Sequence, residues 1–268
     1  MATLDGQPVT PDDLLPLALT NLGHFTTMRA DADRRIRGLS LHMERLVRDC
    51  ETVFGAELDT QRVQAHVREA LDGPDGSEGS EGPCVVRVTV YDPTVDVARP
   101  EDADHPRVLV TLRPAGAVTP PPLRAKTVPY ERDLPEVKHT GLFGTLYARR
   151  AARRQGFDDA LFFGADDRVS EGGTWNVGFI TDDGVVWPEA PALPGVTMAL
   201  LRQHVDHRVA PVTVAQVKAA RAAFATNAFI GVRALSAIDD TPMAVEHPLL
   251  NTLCEAYEAI PGEELSGA

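Results

Sequence analysis

The spacing of apolar residues along the chain predicts a mixture of helices and strands. Apolar residues recur at helical intervals in six stretches, 40–54, 59–71, 142–155, 197–208, 213–223 and 248–258. Alternating or continuous apolar runs rich in β-branched residues predict strands at 84–92, 107–114, 125–130, 160–164, 176–189 and 228–240. The run at 176–189 contains an Asp-Gly hairpin turn. The pattern indicates an α+β fold whose second half is largely antiparallel.

Two breaks in this pattern indicate how the chain is divided. The segment "DGPDGSEGSEGP", residues 72–83, is too acidic and glycine-rich to pack, so we interpret it as a mobile surface loop between a helix and a strand. The segment "GAVTPPPLR" is stiffened by prolines and is interpreted as a connector. We therefore expect a small domain over residues 1–114, a linker at 115–123 and a larger domain over 124–268.

Composition and charge narrow the class of protein. The chain has 268 residues, of which 43% are hydrophobic, and this is ample for a buried core. A net charge of −13 and a pI near 5.0 predict a soluble protein that nucleic acid and anionic membranes repel, so we expect neither as a partner. An anionic small molecule could still bind in a locally positive pocket.

No targeting or membrane segment is expected from the sequence. The first thirty residues lack a cationic start followed by an apolar run, and no window approaches the ~18 apolar residues of a membrane span. Cys50, Cys84 and Cys254 lie far apart and form no CxxC pair, which favours reduced thiols over a disulfide frame or a zinc site. Together these features predict a cytoplasmic protein.

Lys138 in "LPEVKHTGLFGTLYARR" is the first candidate for chemistry. The chain has only three lysines, Lys126, Lys138 and Lys218, among its 26 basic residues. An arginine stays charged at any working pH, whereas a lysine can lose its proton and attack a carbonyl group. A chemical role for Lys138 is one hypothesis, and an ordinary surface lysine before a helix is the other.

Three polar turns follow Lys138 along the chain. Glu171 in "SEGGTWN" opens a glycine turn after a strand, where a carboxylate can sit at the floor of a pocket. The motif "LPGVT" has the form of a loop that feeds a helix N-terminus, whose free N–H groups and dipole suit a phosphate. The motif "TNAFIGV" provides a second polar turn. Each turn alone is also explained by ordinary helix capping.

Taken in order, "HMERL", "VKHT", "SEGGTWN", "LPGVT" and "TNAFIGV" resemble the class IV aminotransferases, the fold type IV group of pyridoxal-phosphate enzymes. That group includes branched-chain aminotransferase, D-amino-acid aminotransferase and aminodeoxychorismate lyase. The resemblance extends from about Gly23 to about Asp240. It implies a two-domain fold with a small α/β amino-terminal domain and a larger, β-rich pseudo-barrel domain.

The resemblance also implies pyridoxal 5'-phosphate as the cofactor and a role for each matching residue. Lys138 matches the lysine that forms the internal aldimine and shuttles the proton, and Glu171 matches the acid that hydrogen-bonds the pyridine nitrogen. Arg45 matches the arginine that grips the cofactor phosphate. The rest of the phosphate cradle corresponds to Val196, Thr197 and Thr226. The substrate-facing positions correspond to Thr27, Phe143, Asn227 and Ala228.

The resemblance leaves the reaction open. A transaminase would exchange an amino group between an amino acid or amine and a keto acid, and the breadth of the family favours it. A lyase would release pyruvate from an aminodeoxychorismate-like substrate. "HFTTMR", residues 24–29, and Phe143, which stands where branched-chain enzymes have a tyrosine, favour the lyase. A cofactor-free binding protein of the same fold is a third possibility, against which the retention of Lys138 and Glu171 argues.

Two further expectations concern partners and metals. Members of the family build each pocket with a loop from a neighbouring subunit, so the resemblance implies a homodimer. His204 and His207 lie three residues apart, but the spacing places no third ligand, so no metal is expected. The sequence has no GxGxxG, GxxxxGK[ST] or GxSxG motif.

Overall fold

The computed structural model describes residues 1–73, 82–115 and 120–266, which group into two compact units. Unit 1 consists of Met1–Gly116, Val137–Gly141 and Pro261–Ala268, and unit 2 of Ala117–Glu136 and Leu142–Ile260. Unit 1 thus combines the first part of the chain with one short internal segment and the last residues. Residues 74–81 of the expected acidic loop and residues 116–119 of the expected linker lie outside the described residues. The domain bounds expected from the sequence stay a proposal.

Unit 1 is built on a five-stranded antiparallel sheet with helices packed against it. Its strands are β1 (Ala2–Leu4), β2 (Gln7–Pro8), β3 (His24–Ala30), β4 (Cys84–Tyr91) and β5 (Arg107–Pro114), in the order β2-β1-β5-β4-β3. Its helices are α1 (Pro11–Thr20), α2 (Leu39–Phe54) and α3 (Thr60–Asp72), with a 3-10 turn at Pro100–Asp102.

The core of unit 1 forms where α2 and α3 cover the sheet. Leu46 of α2, Val63 of α3 and Val86 of β4 are all fully buried in one cluster. The helix α2 ends at Gly55, which adopts a left-handed conformation with φ of 60°. The Asp59 side chain caps the start of α3 by accepting from the backbone N–H groups of its first turn. These local signals explain why the two amphipathic stretches predicted from the sequence form helices.

Residues 137–141 pair with β3 and so bring Lys138 into unit 1. The backbone N–H of Phe25 donates to the Lys138 carbonyl at 2.9 Å, and the N–H of Thr140 donates to the Gly23 carbonyl at 2.8 Å. Gly23 also lies close to β4, because a Cβ atom there would lie 2.7 Å from the Val90 carbonyl oxygen. Lys138 therefore sits on a short strand-like segment beside β3.

Unit 2 is built on a nine-stranded mixed sheet. Its strands are β6 (Leu123–Pro129), β7 (Asp159–Phe163), β8 (Val169–Gly172), β9 (Asn176–Thr181), β10 (Gly184–Pro188), β11 (His207–Ala210), β12 (Ala222–Asn227), β13 (Gly231–Ile238) and β14 (Thr241–Pro242). They follow the order β11-β10-β9-β12-β13-β6-β7-β8, and β14 pairs with β13. Its helices are α4 (Phe143–Arg154), α5 (Val196–His204), α6 (Val214–Val217) and α7 (Pro248–Ala259).

The sheet of unit 2 curls into a half-barrel around an apolar interior. The segment after β11 contacts the far end of the strand order, because Val169 N–H donates to the Val212 carbonyl and Val214 N–H to the Asp167 carbonyl. The interior includes Leu161, Phe179 and Leu235, each at most 1% exposed. The α+β class predicted from the sequence is confirmed, and antiparallel pairs outnumber parallel ones in this sheet.

Two predicted helices of unit 2 differ from the structure. The stretch 197–208 is helical only as far as His204, and His207–Ala210 instead pair in parallel with β10. The stretch 213–223 holds only the short α6, and the alanine-rich segment from Ala222 forms the central strand β12. Alanine favours helix, but here the backbone of β12 pairs with β9 on one side and with β13 on the other, so tertiary structure overrides the local preference.

No helix among the described residues is long and apolar enough to span a bilayer.

Candidate functional site

The amine of Lys138 lies over an aromatic ring on one face of β3. Its Nζ is 4.9 Å from the centroid of the Phe25 ring, and the Arg87 guanidinium lies 3.6 Å from the same centroid. Two cations therefore share one ring, an arrangement that cation–π attraction favours. Burial lowers the pKa of Arg87. Lys138 itself is half-buried.

The backbone of Lys138 is held by a buried carboxylate. The Lys138 N–H donates to Asp49 Oδ2 at 2.9 Å, and Asp49, on α2, is 0% exposed. The other carboxylate oxygen, Oδ1, accepts from the Arg48 guanidinium at 2.7 Å. Both oxygens of Asp49 therefore have partners, which compensates for the burial of its charge.

Arg45 lies on the same helix and contacts the opposite face of β3. Its guanidinium donates to the Thr26 hydroxyl and lies 3.1 Å from His42 Nδ1, while its Nε has no hydrogen-bond partner. Because Phe25 and Thr26 are neighbours on a strand, Lys138 and Arg45 approach β3 from different faces. Burial lowers the pKa of Arg45 to about 10, so the group stays cationic at neutral pH.

Two histidines beside Arg45 are buried in their neutral form. Burial, with Arg45 as a second cause, lowers the pKa of His24 to about 3. Burial and the charges of Arg45 and Lys138 hold the pKa of His42 well below its ordinary value of 6.5. His42 Nδ1 lies 2.7 Å from the Thr26 hydroxyl, and a neutral imidazole can accept that proton.

In unit 2 two of the predicted phosphate residues begin α5, and a third lies on β12. Val196 and Thr197 form its first turn, and no side chain caps its first N–H groups. Thr226 pairs across the sheet with Asn176, and the Asn176 amide packs so closely on Gly195 that a Cβ there would overlap it. The structure thus joins the "LPGVT" and "TNAFIGV" turns through Asn176.

The hydroxyls of Thr197 and Thr226 are buried and have no hydrogen-bond partner. Thr197 is 2% exposed and Thr226 is 0% exposed. A buried hydroxyl without a partner is costly and rare in a folded protein. Two of them beside the uncapped N-terminus of α5 are suited to bind an anion such as a phosphate group. This part of the structure fits the phosphate of the cofactor that the sequence implies.

Glu171 lies near the end of β8 and is 5% exposed. Its Oε1 is 3.4 Å from the Arg132 guanidinium, and both side chains are nearly buried. Arg132 is therefore an ion-pair partner of Glu171. The next residue, Gly172, is required because a Cβ atom there would overlap the Trp175 ring. The Trp175 indole in turn donates to Asp159 at 3.2 Å, which fixes the turn after Glu171.

The proposed substrate-facing residues have mixed surroundings. Thr27 is half-buried on β3, on the same face as Phe25. Phe143 begins α4, is 82% exposed and stacks on the Tyr147 ring. The Asn227 amide is engaged in its own turn, since it accepts from two backbone N–H groups and donates to the Thr174 carbonyl. Ala228 directly follows it in that turn.

Four residues of these surroundings carried no role in the sequence interpretation: His42, Asp49, Arg132 and Asn176. Asn176 ends the quoted motif "SEGGTWN" and His42 begins "HMERL", so a signal for both was present. Nothing in the local sequence marks Asp49 or Arg132, because their partners lie far away along the chain.

Histidine, cysteine and acidic side chains are the candidate ligands for a metal ion. Within residues 1–73, 82–115 and 120–266, no group of three or more of them could hold a metal ion. His204 lies at the end of α5 and His207 begins β11, so the two no longer share a helix.

Comparison with known proteins defines the class of the protein. The sequence profile of the family "Amino-transferase class IV" matches residues 23–238. A search of curated proteins gave no significant match. Solved structures of the same fold are, however, numerous.

Three of these structures illustrate the range. A branched-chain aminotransferase from Thermoproteus uzoniensis, solved with norvaline, has a TM-score of 0.83 at 21% identity and covers 96% of this chain and 93% of its own. A candidate 4-amino-4-deoxychorismate lyase from Legionella pneumophila has a TM-score of 0.82 at 21% identity, with coverages of 95% and 96%. The PLP-bound form of a hypothetical aminotransferase from Mycobacterium tuberculosis has a TM-score of 0.79 at 19% identity, with coverages of 97% and 98%.

The fold is thus that of the fold type IV enzymes, as predicted from the motifs. Because the profile covers most of its length, the chain belongs to the class IV aminotransferase family. Enzymes of this family use pyridoxal 5'-phosphate as their cofactor.

The buried neutral histidines predict a pH-dependent stability. In the unfolded chain an imidazole has a pKa near 6.5 and binds a proton below that pH. In the folded protein the pKa of His24 is about 3, so His24 stays neutral between pH 6.5 and that value. The free energy of unfolding should therefore fall by about 1.4 kcal/mol per pH unit for such a histidine as the pH drops from 6.5. Urea unfolding of wild type and His24→Phe between pH 6.5 and 5 measures the difference in slope.

The control for this experiment is the exposed His105, which is solvated in both states. His105→Gln should keep the wild-type slope, whereas His24→Phe should reduce it by about one proton. Identical slopes for all three proteins would contradict the neutral burial of His24.

Proposed function

We propose that this protein is a pyridoxal-phosphate-dependent aminotransferase that moves an amino group between an amino acid or amine and a keto acid. The observation that carries the proposal is the pair of buried, unpartnered hydroxyls of Thr197 and Thr226 beside the first turn of α5. Nothing else in the described part of unit 2 explains why two hydroxyls are buried without partners there, and a phosphate would satisfy both. Family membership supplies the rest of the argument.

When bound, pyridoxal phosphate supplies an aldehyde that an amine can attack and a ring that accepts electrons. Lys138 is the residue we assign to covalent attachment of the cofactor and to moving the proton during the reaction. Its amine rests on the Phe25 ring, and its backbone is held by Asp49. A primary amine is required, because a guanidinium does not become a neutral nucleophile.

Glu171 is assigned to the pyridine nitrogen. A charged carboxylate there would hold the proton on that nitrogen, and Arg132 is its ion-pair partner at 3.4 Å. In unit 2 the phosphate is assigned to the Thr197 and Thr226 hydroxyls and to the N–H groups of the turn that contains Val196. The assignment of Arg45 to the phosphate rests on the match of "HMERL" to the family alone.

The substrate is assigned to Thr27, Phe143 and the turn at Asn227 and Ala228. The Asn227 side chain is engaged in its turn, so the backbone of that turn is the part we assign to the substrate carboxylate. These positions are proposals that rest on the match to the family. We also propose a cytoplasmic homodimer without nucleic-acid or membrane partners. Light scattering should give twice the 28.9 kDa chain mass, and a cofactor-loaded, active monomer would contradict the dimer.

The second candidate function is a lyase that releases pyruvate from an aminodeoxychorismate-like substrate. It is favoured by Phe143, which brings no hydroxyl, and by the similarity of "HFTTMR" to that enzyme. The likeness to the Legionella protein supports it at the level of the fold. The third candidate, a binding protein without cofactor, finds no support in the family assignment.

Spectroscopy of the cofactor-loaded protein separates the first two functions. During a screen of amino donors, a transaminase converts the cofactor to its amine form, and the visible absorbance band decays. A lyase returns the cofactor unchanged and releases pyruvate, which lactate dehydrogenase detects. Pyruvate release without band decay would replace our proposal by the lyase.

Lys138→Ala should abolish covalent attachment of pyridoxal phosphate, because no other amine takes its place. The visible absorbance band and the borohydride-reduced adduct found by mass spectrometry should both disappear. Lys138→Arg should behave in the same way. Lys126→Ala is the matched control, since Lys126 is paired with Asp239 at 2.8 Å and should leave the adduct intact. An adduct on another residue in Lys138→Ala would contradict the assignment.

Glu171→Gln should retain the cofactor but slow turnover, because a neutral amide does not stabilise the ring proton. The loss of one charge-assisted hydrogen bond, about 1.5–3 kcal/mol, corresponds to a decrease of roughly tenfold to hundredfold. Single-turnover kinetics measure the effect. A turnover near that of the wild type would show that Glu171 serves only the turn.

Thr197→Val and Thr226→Val should each weaken cofactor binding without lowering the stability of the cofactor-free protein. Each removes a buried hydroxyl that has no partner, so the cofactor-free protein should keep or gain stability. Affinity for pyridoxamine 5'-phosphate should fall by about tenfold or more, because a hydrogen bond to a charged group is lost. Urea unfolding and fluorescence titration measure the two quantities.

Thr181→Val serves as the control for the two threonine variants. Its hydroxyl already donates to the Gly184 carbonyl, in the hairpin between β9 and β10. This variant should lose stability and keep its affinity. Unchanged affinity in both Thr197→Val and Thr226→Val would mean that the phosphate binds elsewhere.

A further inference from the structure

The buried carboxylate of Asp49 belongs to a polar stripe on a helix that otherwise packs into the core of unit 1. His42, Arg45 and Asp49 follow one another at intervals of three and four residues, so they share one face of α2. All three are at most 5% exposed. His42 and Arg45 contact Thr26 of β3, while Asp49 contacts the segment that carries Lys138.

Each oxygen of Asp49 has a distinct task. Oδ2 accepts the Lys138 backbone N–H at 2.9 Å. Oδ1 accepts from Arg48, at 3.2 Å from its Nε and 2.7 Å from its Nη2, and Arg48 reaches the surface with a side chain that is 46% exposed. Arg48 thus balances the charge, and Oδ2 is free to hold the lysine segment.

A neutral acceptor could satisfy one backbone N–H, so the presence of a charge needs a reason. Hydrogen bonds from an N–H group to a carboxylate are shorter and stronger than those to a neutral acceptor. Their benefit here is to fix the backbone of a half-buried residue whose amine lies over the Phe25 ring. The lysine is then bonded on both sides, since its carbonyl accepts from Phe25 at 2.9 Å.

We propose that Asp49 is a positioning residue for Lys138: its carboxylate fixes the lysine backbone on α2, one turn after Arg45, so that a single helix sets the positions of both groups. The proposal rests on the function proposed above, because it assigns Lys138 to the cofactor. It concerns the orientation of the lysine and gives Asp49 no contact with the cofactor. It follows that a substitution of Asp49 should slow formation of the covalent bond at Lys138 without weakening binding of the cofactor phosphate.

Two probes measure these processes independently. Pyridoxamine 5'-phosphate has no aldehyde and reports phosphate and ring binding alone, whereas pyridoxal 5'-phosphate followed by borohydride reports the rate of bond formation at Lys138. The variants are Asp49→Ala, which removes the acceptor, and Asp49→Asn, which keeps a carbonyl oxygen. Arg48→Ala is the matched control, because it removes the ion pair and leaves the bond to Lys138. Hydrogen–deuterium exchange of the Lys138 amide follows that bond directly in the cofactor-free protein.

In Asp49→Ala the rate of adduct formation should fall by about tenfold or more, and the Lys138 amide should exchange faster by a similar factor. Affinity for pyridoxamine 5'-phosphate should be no weaker than in wild type, since the removed charge is negative like the phosphate. Asp49→Asn should recover most of the rate, and Arg48→Ala should resemble wild type. Amides of β4 and β5 should keep their protection in all variants.

Three results would overturn the proposal. Equal losses of adduct rate and pyridoxamine 5'-phosphate affinity, with faster exchange throughout unit 1, would show that Asp49 only stabilises the fold. If Asp49→Ala does not fold, the same comparison is made with Asp49→Leu, which fills a similar volume without an acceptor, and an unchanged adduct rate and unchanged exchange of the Lys138 amide there would remove the role. A wild-type protein that binds neither probe would contradict the proposed function and this proposal with it, while normal protection of the Lys138 amide would show that the hydrogen bond itself exists.

Discussion

The pairing of residues 137–141 with β3 is the interaction on which the candidate site of unit 1 depends. Lys138 lies far along the chain from Phe25, and two backbone hydrogen bonds join the segment to the edge of the sheet. Closing so long a loop costs entropy, which strand pairing and the burial of Val137 offset. Without this pairing, the Lys138 amine would lose its contact with the Phe25 ring, and its backbone N–H would lose its hydrogen bond to Asp49.

The helix α2 converts that pairing into a defined electrostatic environment. Its apolar residues, such as Leu46 and Cys50, pack in the core, while His42, Arg45 and Asp49 are buried on a polar stripe. Burying charge is costly, and it is tolerated here because Asp49 has a partner on each oxygen and Arg45 donates to Thr26. The pKa of His42 is low for a related reason: burial disfavours its charged form, and Arg45 would repel a second cation beside it.

Unit 2 has buried polar groups without hydrogen-bond partners, as unit 1 has at Arg45 Nε. The hydroxyls of Thr197 and Thr226 are buried and unsatisfied, although the surrounding turns are closely packed around Asn176 and Gly195. A bound ligand is one way in which such groups gain hydrogen-bond partners. Glu171 differs because Arg132 already pairs with it, so this carboxylate has a charged partner before any cofactor binds.

The sequence by itself determined the elements whose patterns are local. The apolar spacing of α2 and α3 and the β-branched runs of β4 and β5 predict their bounds to within a few residues, and the scarcity of lysine singles out Lys138. Only the tertiary structure decided what depends on distant neighbours. The alanines of β12 form a strand because β9 and β13 flank them, although alanine alone favours a helix. Asp49, Arg132 and Asn176 likewise gain their roles only from partners far along the chain, which the fold brings within hydrogen-bonding or packing distance.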